Sequence, residues 1–185
     1  RLKDILQEQP GLFLTSGFGV GVQMQGLNPD YTLILIDGEP LTGRTSGVLD
    51  LNRVTTGNIK KIEIVKGPSS SLYGSEALAG VINIITDKSY EKKLNIAARY
   101  GTYNSLDANI TAAGRVGKAG INIFFNQYNT DGYSIRPFSV ERSKLPVSRS
   151  TPQLQFNYPF SNKTSFNLSL RYNYEHIKNE LAVSN

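Results

Sequence analysis

Apolar and polar positions follow two different rhythms along this chain. Residues 1 to about 88 mix short helical and strand patterns, whereas from about residue 93 apolar and polar residues alternate with a period of two. In the first stretch Leu2, Ile5 and Leu6 recur at i, i+3 and i+4, one face of a short helix that Pro10-Gly11 would end. Thr32-Leu33-Ile34-Leu35-Ile36 is an unbroken apolar run, the mark of a strand covered on both faces. It leads into Asp37-Gly38, a tight-turn pair. Ile62, Ile64 and Val65 predict a second strand closed by Gly67-Pro68, and the β-branched run from Val81 to Ile85 predicts a third. Between these, the small residues of Ser69 to Ala79, with Gly74, suit a turn or a single helical turn.

The second stretch predicts five strands. Leu94, Ile96, Ala98 and Tyr100 share one face, and Leu106, Ala108, Ile110 and Ala112 alternate with Asp107, Asn109 and Thr111. Ile121, Ile123 and Phe125 oppose Asn122 and Asn126, with Phe124 interrupting the polar side. Leu154, Phe156, Tyr158 and Phe160 make the fourth strand, and Phe166, Leu168, Leu170, Tyr172 and Tyr174 the fifth. One apolar and one polar, mostly uncharged face suit either the wall of a membrane barrel or a soluble antiparallel sheet with one solvated face. Two features favour the barrel. Tyr100, Tyr103, Tyr158, Phe160, Tyr172 and Tyr174 cluster toward strand ends, as in an interfacial girdle. The connections are short at Gly101–Ser105, Val116–Gly120 and Phe160–Thr164 but long at about Thr130–Ser150.

Composition narrows the classes further. The chain has 185 residues, 39% of them hydrophobic, and no apolar run near the roughly 20 residues of a membrane helix. A net charge of +5 is spread out, the largest groupings being the pairs Lys60-Lys61 and Lys92-Lys93, so nucleic acid is not an expected partner. There is no cysteine, and the lone His176 sits in an aromatic strand pattern, so neither a metal site nor a cofactor is expected. Gly17-Phe18-Gly19-Val20-Gly21 lacks dinucleotide-loop spacing, and Asp37 and Glu39, which with Glu63 would be the acidic residues of a catalytic or metal cluster, occupy a turn. No catalytic residues are therefore assigned. The first residues lack a signal-peptide apolar region and an initiating Met, so the chain is expected to begin inside a longer precursor.

An ordered set of motifs identifies a family resemblance. Thr32 to Ile36 with Asp37-Gly38-Glu39-Pro40-Leu41 is followed by Ile59-Lys60-Lys61-Ile62-Glu63-Ile64-Val65-Lys66-Gly67-Pro68. Ser70-Ser71-Leu72-Tyr73-Gly74-Ser75 comes next, and then Ala77-Leu78-Ala79-Gly80-Val81-Ile82-Asn83-Ile84-Ile85-Thr86. Together these resemble the end of the plug domain of TonB-dependent outer-membrane receptors. The fold this implies is an α+β plug, a small mixed sheet with short helices, over residues 1–88. The first strands of an incomplete transmembrane β-barrel, built as antiparallel hairpins, follow over residues 89–185.

The resemblance also implies localisation in the bacterial outer membrane and energy-coupled import of a scarce bulky ligand such as a ferric siderophore, haem or cobalamin. The expected partners are TonB, through a segment preceding this chain, a small-molecule ligand such as a metal chelate, and outer-membrane lipid. Lys66-Gly67-Pro68 looks more like the siderophore and cobalamin branch than the glycan-importing branch, which usually has Lys-Asp-Ala there. In relatives two basic positions hold the plug against acidic residues of the barrel; here they are Gln25, where Arg is common, and Lys66. Motif alignment puts outward-facing loops at Gly26–Tyr31 and Leu41–Ser46, with a loop near Ser16–Phe18 beside them. Phe18, Asn28, Asp30, Tyr31, Arg44 and Thr45 are the ligand-binding candidates, Arg44 foremost because a guanidinium grips anionic oxygens bidentately. A passive porin or adhesin-type barrel is the alternative, and it would leave the plug motif unexplained.

Overall fold

The computed structural model describes residues 2–16, 20–41, 51, 54–55, 57–68, 73–133 and 145–178. The chain divides into two compact units, residues 1–87 and 88–185.

Unit 1 starts with helix α1 (Leu2–Gln7), which buries Leu2 and Leu6, one turn apart, while Ile5, expected on the same face, is 46% exposed. A six-residue helix offers a seam only one side chain wide, so i and i+4 take it and i+3 is turned out. A hairpin of β1 (Leu12–Ser16) and β2 (Val20–Met24) follows. It escapes a reading by periodicity because glycines at 17, 19 and 21 dilute its apolar pattern. Next come β3 (Thr32–Ile36), the two-residue β4 (Glu39–Pro40), β5 (Ile59–Lys66) and β6 (Gly80–Thr86). They form one sheet in the order β4-β3-β6-β5, with β3 parallel to β6 and β5 antiparallel to it.

The continuous apolar run of β3 is buried along its whole length. Ile34 and Ile36 join Ile82, Ile84, Leu2, Leu6, Val22 and Met24 on one face, and Leu33 and Leu35 join Val81 and Ala77 on the other. Each such side chain contributes about 1.5–3 kcal/mol by leaving water. Among the described residues just before β6, Ser75–Ala77 forms a short 3-10 turn.

Unit 2 is a meander of β7 (Lys93–Gly101), β8 (Ser105–Val116), β9 (Ala119–Thr130), β10 (Val147–Pro159) and β11 (Ser165–Arg171). A short β12 (Tyr174–Ile177) pairs with β10 beyond β11. The expected fifth strand is thus split after Arg171, and Pro152 is the reason. Gln153↔Arg171 and Ser150↔Tyr174 keep one register, and Tyr172 N donates to Pro152 O, but Pro152 has no N–H to return to Tyr172. β9 and β10 also run longer than their apolar alternation, because polar positions continue both faces toward one end, and β8 runs on through Ala113–Val116 at the other.

The two faces of the meander are opposite in character to a soluble sheet. Leu94, Ile96 and Tyr100 are 68–71% exposed, and Ile123, Phe125, Leu170 and Tyr172 are exposed on the same face. Thr111, Asn122, Asn126, Thr151, Gln153 and Gln155 are buried on the other, with Phe124 among them. An antiparallel sheet that exposes its apolar face and covers its polar one is built for a lipid surround. Tyr90 lies against Gly120 on β9, where an added Cβ would come within 2.5 Å of the ring, so only glycine fits.

Candidate functional site

Register brings several of the expected residues to one end of the unit 1 sheet. Thr32, Gly80 and Lys66 lie in one row across β3, β6 and β5. Above that row Pro29–Tyr31 forms a 3-10 turn, tied down by Ala79 N donating to Tyr31 O at 2.9 Å and Gly67 N donating to Ala79 O at 3.0 Å. Asn28, Asp30 and Tyr31 are exposed together on this turn, an amide, a carboxylate and a phenol within four residues. Gln25 and Gly26 make the preceding turn, both with positive φ, closed by Leu27 N donating to Met24 O. Phe18, Arg44 and Thr45 lie outside the described residues. One expectation needs correction. The β1–β2 register places Ser16 at the far end of the hairpin from Met24. Four strand steps of about 3.4 Å, about 14 Å in all, therefore separate it from the Gln25-Gly26 turn rather than setting it beside that turn.

Lys66 Nζ donates to the carbonyl of Pro10, within unit 1, and so holds the α1–β1 connection to the end of β5. Gly80, next to it, has φ +148, and a Cβ there would lie 2.3 Å from Val65 O and 2.4 Å from Met24 Sδ.

The opposite end of the sheet explains the Asp-Gly motif. Asp37, at positive φ in the β3–β4 turn, accepts from Thr86 N at 2.9 Å and from Thr86 Oγ1 at 2.6 Å. Gly38 N donates to Asn83 Oδ1 at 3.1 Å, and Asn83 Nδ2 reaches Glu63 at 3.4 Å. Lys61 pairs with Glu63 at 2.6 Å. That hydrogen bond and the charge of Lys61 hold the Glu63 carboxyl below the usual carboxylate range. Asp37 and Glu63 are thus engaged in structure, and no cluster of three metal-ligating side chains occurs among the described residues.

In unit 2 the polar face carries a row that periodicity could not connect. Arg99 stands opposite Asp107, Asp107 opposite Tyr128, Tyr128 opposite Arg149, and Arg149 opposite Glu175. Arg149 donates from Nε to Glu175 Oε2 at 2.8 Å and from Nη2 to the same oxygen, with its guanidinium carbon 6.0 Å from the Tyr128 ring centre. Both side chains are largely buried, at 7% and 15% exposure. Asp107 accepts from Asn126 at 2.7 Å. The five residues lie up to 76 positions apart (Arg99 to Glu175), so their juxtaposition depends on strand register, which one sequence does not state. A signal was present all the same: a charge on the polar side of four different strands at similar distance from the rim.

A small two-face-covered mixed sheet followed by a meander with an outward apolar face defines a plug-and-barrel membrane protein. Residues 1–81 match the family model of the TonB-dependent Receptor Plug Domain. The chain is 31% identical over 142 residues to the vitamin B12 transporter BtuB of Vibrio cholerae, covering 74% of this chain and 23% of that protein. It is 30% identical over 176 residues to BtuB of Vibrio vulnificus, covering 89% of this chain and 28% of that one. Among solved structures it resembles the ferric enterobactin receptor PfeA (TM-score 0.73, 19% identity, 95% of this chain and 31% of that chain). It also resembles the siderophore receptor PirA of Pseudomonas aeruginosa (TM-score 0.71, 22% identity, 96% of this chain and 31% of that chain). The chain belongs to the TonB-dependent outer-membrane receptors. It spans about a quarter of the length of the curated relatives it matches.

Proposed function

We propose that residues 1–88 are the plug and residues 89–185 the leading barrel strands of a receptor that imports a scarce, bulky metal chelate, driven through TonB. The observation carrying this is the sequence of architectures: a plug sheet closed by the Asp37–Thr86 clamp, then a meander whose outward face is apolar. A passive porin would need the second and not the first. Cobalamin is the first ligand to test, because the curated relatives at 30–31% identity are named vitamin B12 transporters. Ferric siderophores come next, because the structural neighbours PfeA and PirA are a ferric enterobactin receptor and a siderophore receptor.

The exposed turn with Asn28, Asp30 and Tyr31 is proposed as part of the ligand platform, together with Arg44 and Thr45; Phe18, two residues past Ser16, is proposed as a contact only for a ligand that spans the roughly 14 Å between Ser16 and that turn. A concave site with an aromatic face and a few placed polar groups suits a large, mostly uncharged ligand. Lys66 is proposed to secure the plug, beginning with its bond to Pro10. Gln25, without a charge, contributes at most a hydrogen bond to that lock.

Uptake of radiolabelled cyanocobalamin and of ferric siderophores by the full-length protein, in cells lacking other receptors and with or without TonB, tests the reading. TonB-dependent uptake of one of them is expected, weakened by Tyr31→Ala and Arg44→Ala. Uptake indifferent to TonB, or size-graded leakage of sugars in liposome swelling, would replace the receptor with a passive pore.

A further inference from the structure

The chain is held on both sides of the point where unit 1 gives way to unit 2. Within unit 1, Asp37 binds Thr86, and Asp87 N donates to Asn58 O at 2.8 Å. Within unit 2, Asn122 Nδ2 donates to Ser89 O at 3.0 Å. Lys88 alone lies between these ties. Asn122 is 4% exposed on the polar face of β9, so its amide belongs to the interior of that face and draws the chain down onto it.

Tyr90 completes the attachment. Its ring lies on Gly120, two positions before Asn122 and so on the same face of β9. A Cβ at Gly120 would stand 2.5 Å from the ring Cγ, 2.8 Å from Cδ1 and 3.0 Å from the Tyr90 Cβ, so the absent side chain is the seat of the ring. Burial there pushes the Tyr90 phenol above its ordinary value.

Register shows what this attachment crosses. Lys93 opens β7 opposite Ala113 on β8, and Ala113 and Arg115 lie opposite Asn122 and Gly120 on β9. From its seat the chain must therefore pass back over β8 to begin β7, two strand spacings or about 10 Å away. The three steps from Tyr90 to Lys93 reach at most about 11 Å, so the crossing has little slack. With one residue on the other side, the chain cannot stretch to absorb a movement of unit 1. Either unit 1 rearranges internally or the ring and the Asn122 bond come away together, and a ring seated two strands in from the edge cannot be peeled residue by residue. We propose that Tyr90, seated on Gly120, rivets the connection to the polar face of β9 and stays seated during import, so that every movement of unit 1 is taken up ahead of Asp87. The import half of this inference rests on the reading of the chain as part of a TonB-driven receptor.

Two measurements on the full-length protein test it. Lys88, Lys92 and Lys93 put trypsin sites on both sides of Tyr90, and cutting there follows the population of the released chain. Tyr90→Ala and Gly120→Ala should each be cut about tenfold faster than wild type, the second because its methyl group evicts the ring. The two together should be no faster than either alone, and Tyr90→Phe, which keeps the ring, should match wild type. Alanine variants cut at the wild-type rate, or effects that add, would overturn the seat. The second measurement uses Tyr90→Cys with Gly120→Cys, whose Cβ atoms start 3.0 Å apart and relax to the roughly 3.8 Å of a disulfide. This chain has no cysteine of its own. Uptake of radiolabelled cyanocobalamin and ferric enterobactin should be the same with the disulfide closed or reduced. Thiols that stay free under oxidant would overturn the seat, and uptake lost on closure and restored by reductant would turn the rivet into a latch. Wild-type protein that takes up neither probe would remove the receptor reading and the import half of the inference, while the trypsin pattern decides the seat by itself.

Discussion

Gly80 and Arg149 show two ways in which single residues hold this molecule. At Gly80 the strand passes so close to Val65 O and Met24 Sδ that a methyl group has no room, and φ +148 adds its own penalty for any L side chain. Gly80→Ala should therefore destabilise unit 1 by about 3 kcal/mol or more, seen as faster proteolysis within residues 59–86 of the full-length protein. Unchanged resistance would mean that the β5–β6 pair yields more easily than its packing implies. At Arg149 the issue is charge. Arg149→Met leaves Glu175 buried without its cation and should cost about 3–5 kcal/mol in urea unfolding, whereas replacing both residues by apolar ones should recover much of that. A single variant as stable as wild type would show that the Arg149–Glu175 pair carries little of the stability of the wall. The Asp-Gly turn and the polar punctuation at Asn83 were readable in the sequence, because turn chemistry is local. The bonds they make to Thr86 and Glu63 were not, since those partners are set by tertiary register.

At the level of elements, the long runs were legible and the diluted ones were not. β3, β6 and the meander strands announce themselves through burial on two faces or alternation on one, whereas the β1–β2 hairpin is masked by its glycines. The candidate ligand turn at Asn28–Tyr31 was legible as a place, but the position of Ser16 relative to it depended on a hairpin that the pattern concealed. Pro152 is the exception within the meander, a proline in a strand flanked on both sides. Pro152→Val supplies the missing N–H to Tyr172, so hydrogen exchange at Tyr172 and Asn173 should slow and β11 and β12 should join. Exchange as fast as in wild type would place the break in the Tyr172-Asn173 backbone itself.

For the whole molecule, orientation is the main quantity to measure. Barrels keep periplasmic turns short and let outer connections grow, which puts 131–146 outside and the turns at 117–118 and 160–164 inside. A cysteine at Ser143, outside the described residues, should label in intact cells and one at Lys118 should not; the reverse pattern inverts the topology. The Asp37–Thr86 clamp has a consequence in time as well as in space. It joins residues 49 positions apart, and Thr32 meets Gly80 across 48, while the β7–β8 and β8–β9 hairpins close over three and two. Closing about 48 residues rather than about 3 costs about 2.5 kcal/mol more in chain entropy before any contact repays it. Proteins dominated by such distant pairings fold slowly. The downstream meander should thus zip while the upstream sheet is still searching. Pulse-labelled exchange during refolding would then protect Ile110 and Ile123 before Leu35 and Ile82, inverting the order in which the ribosome delivers them.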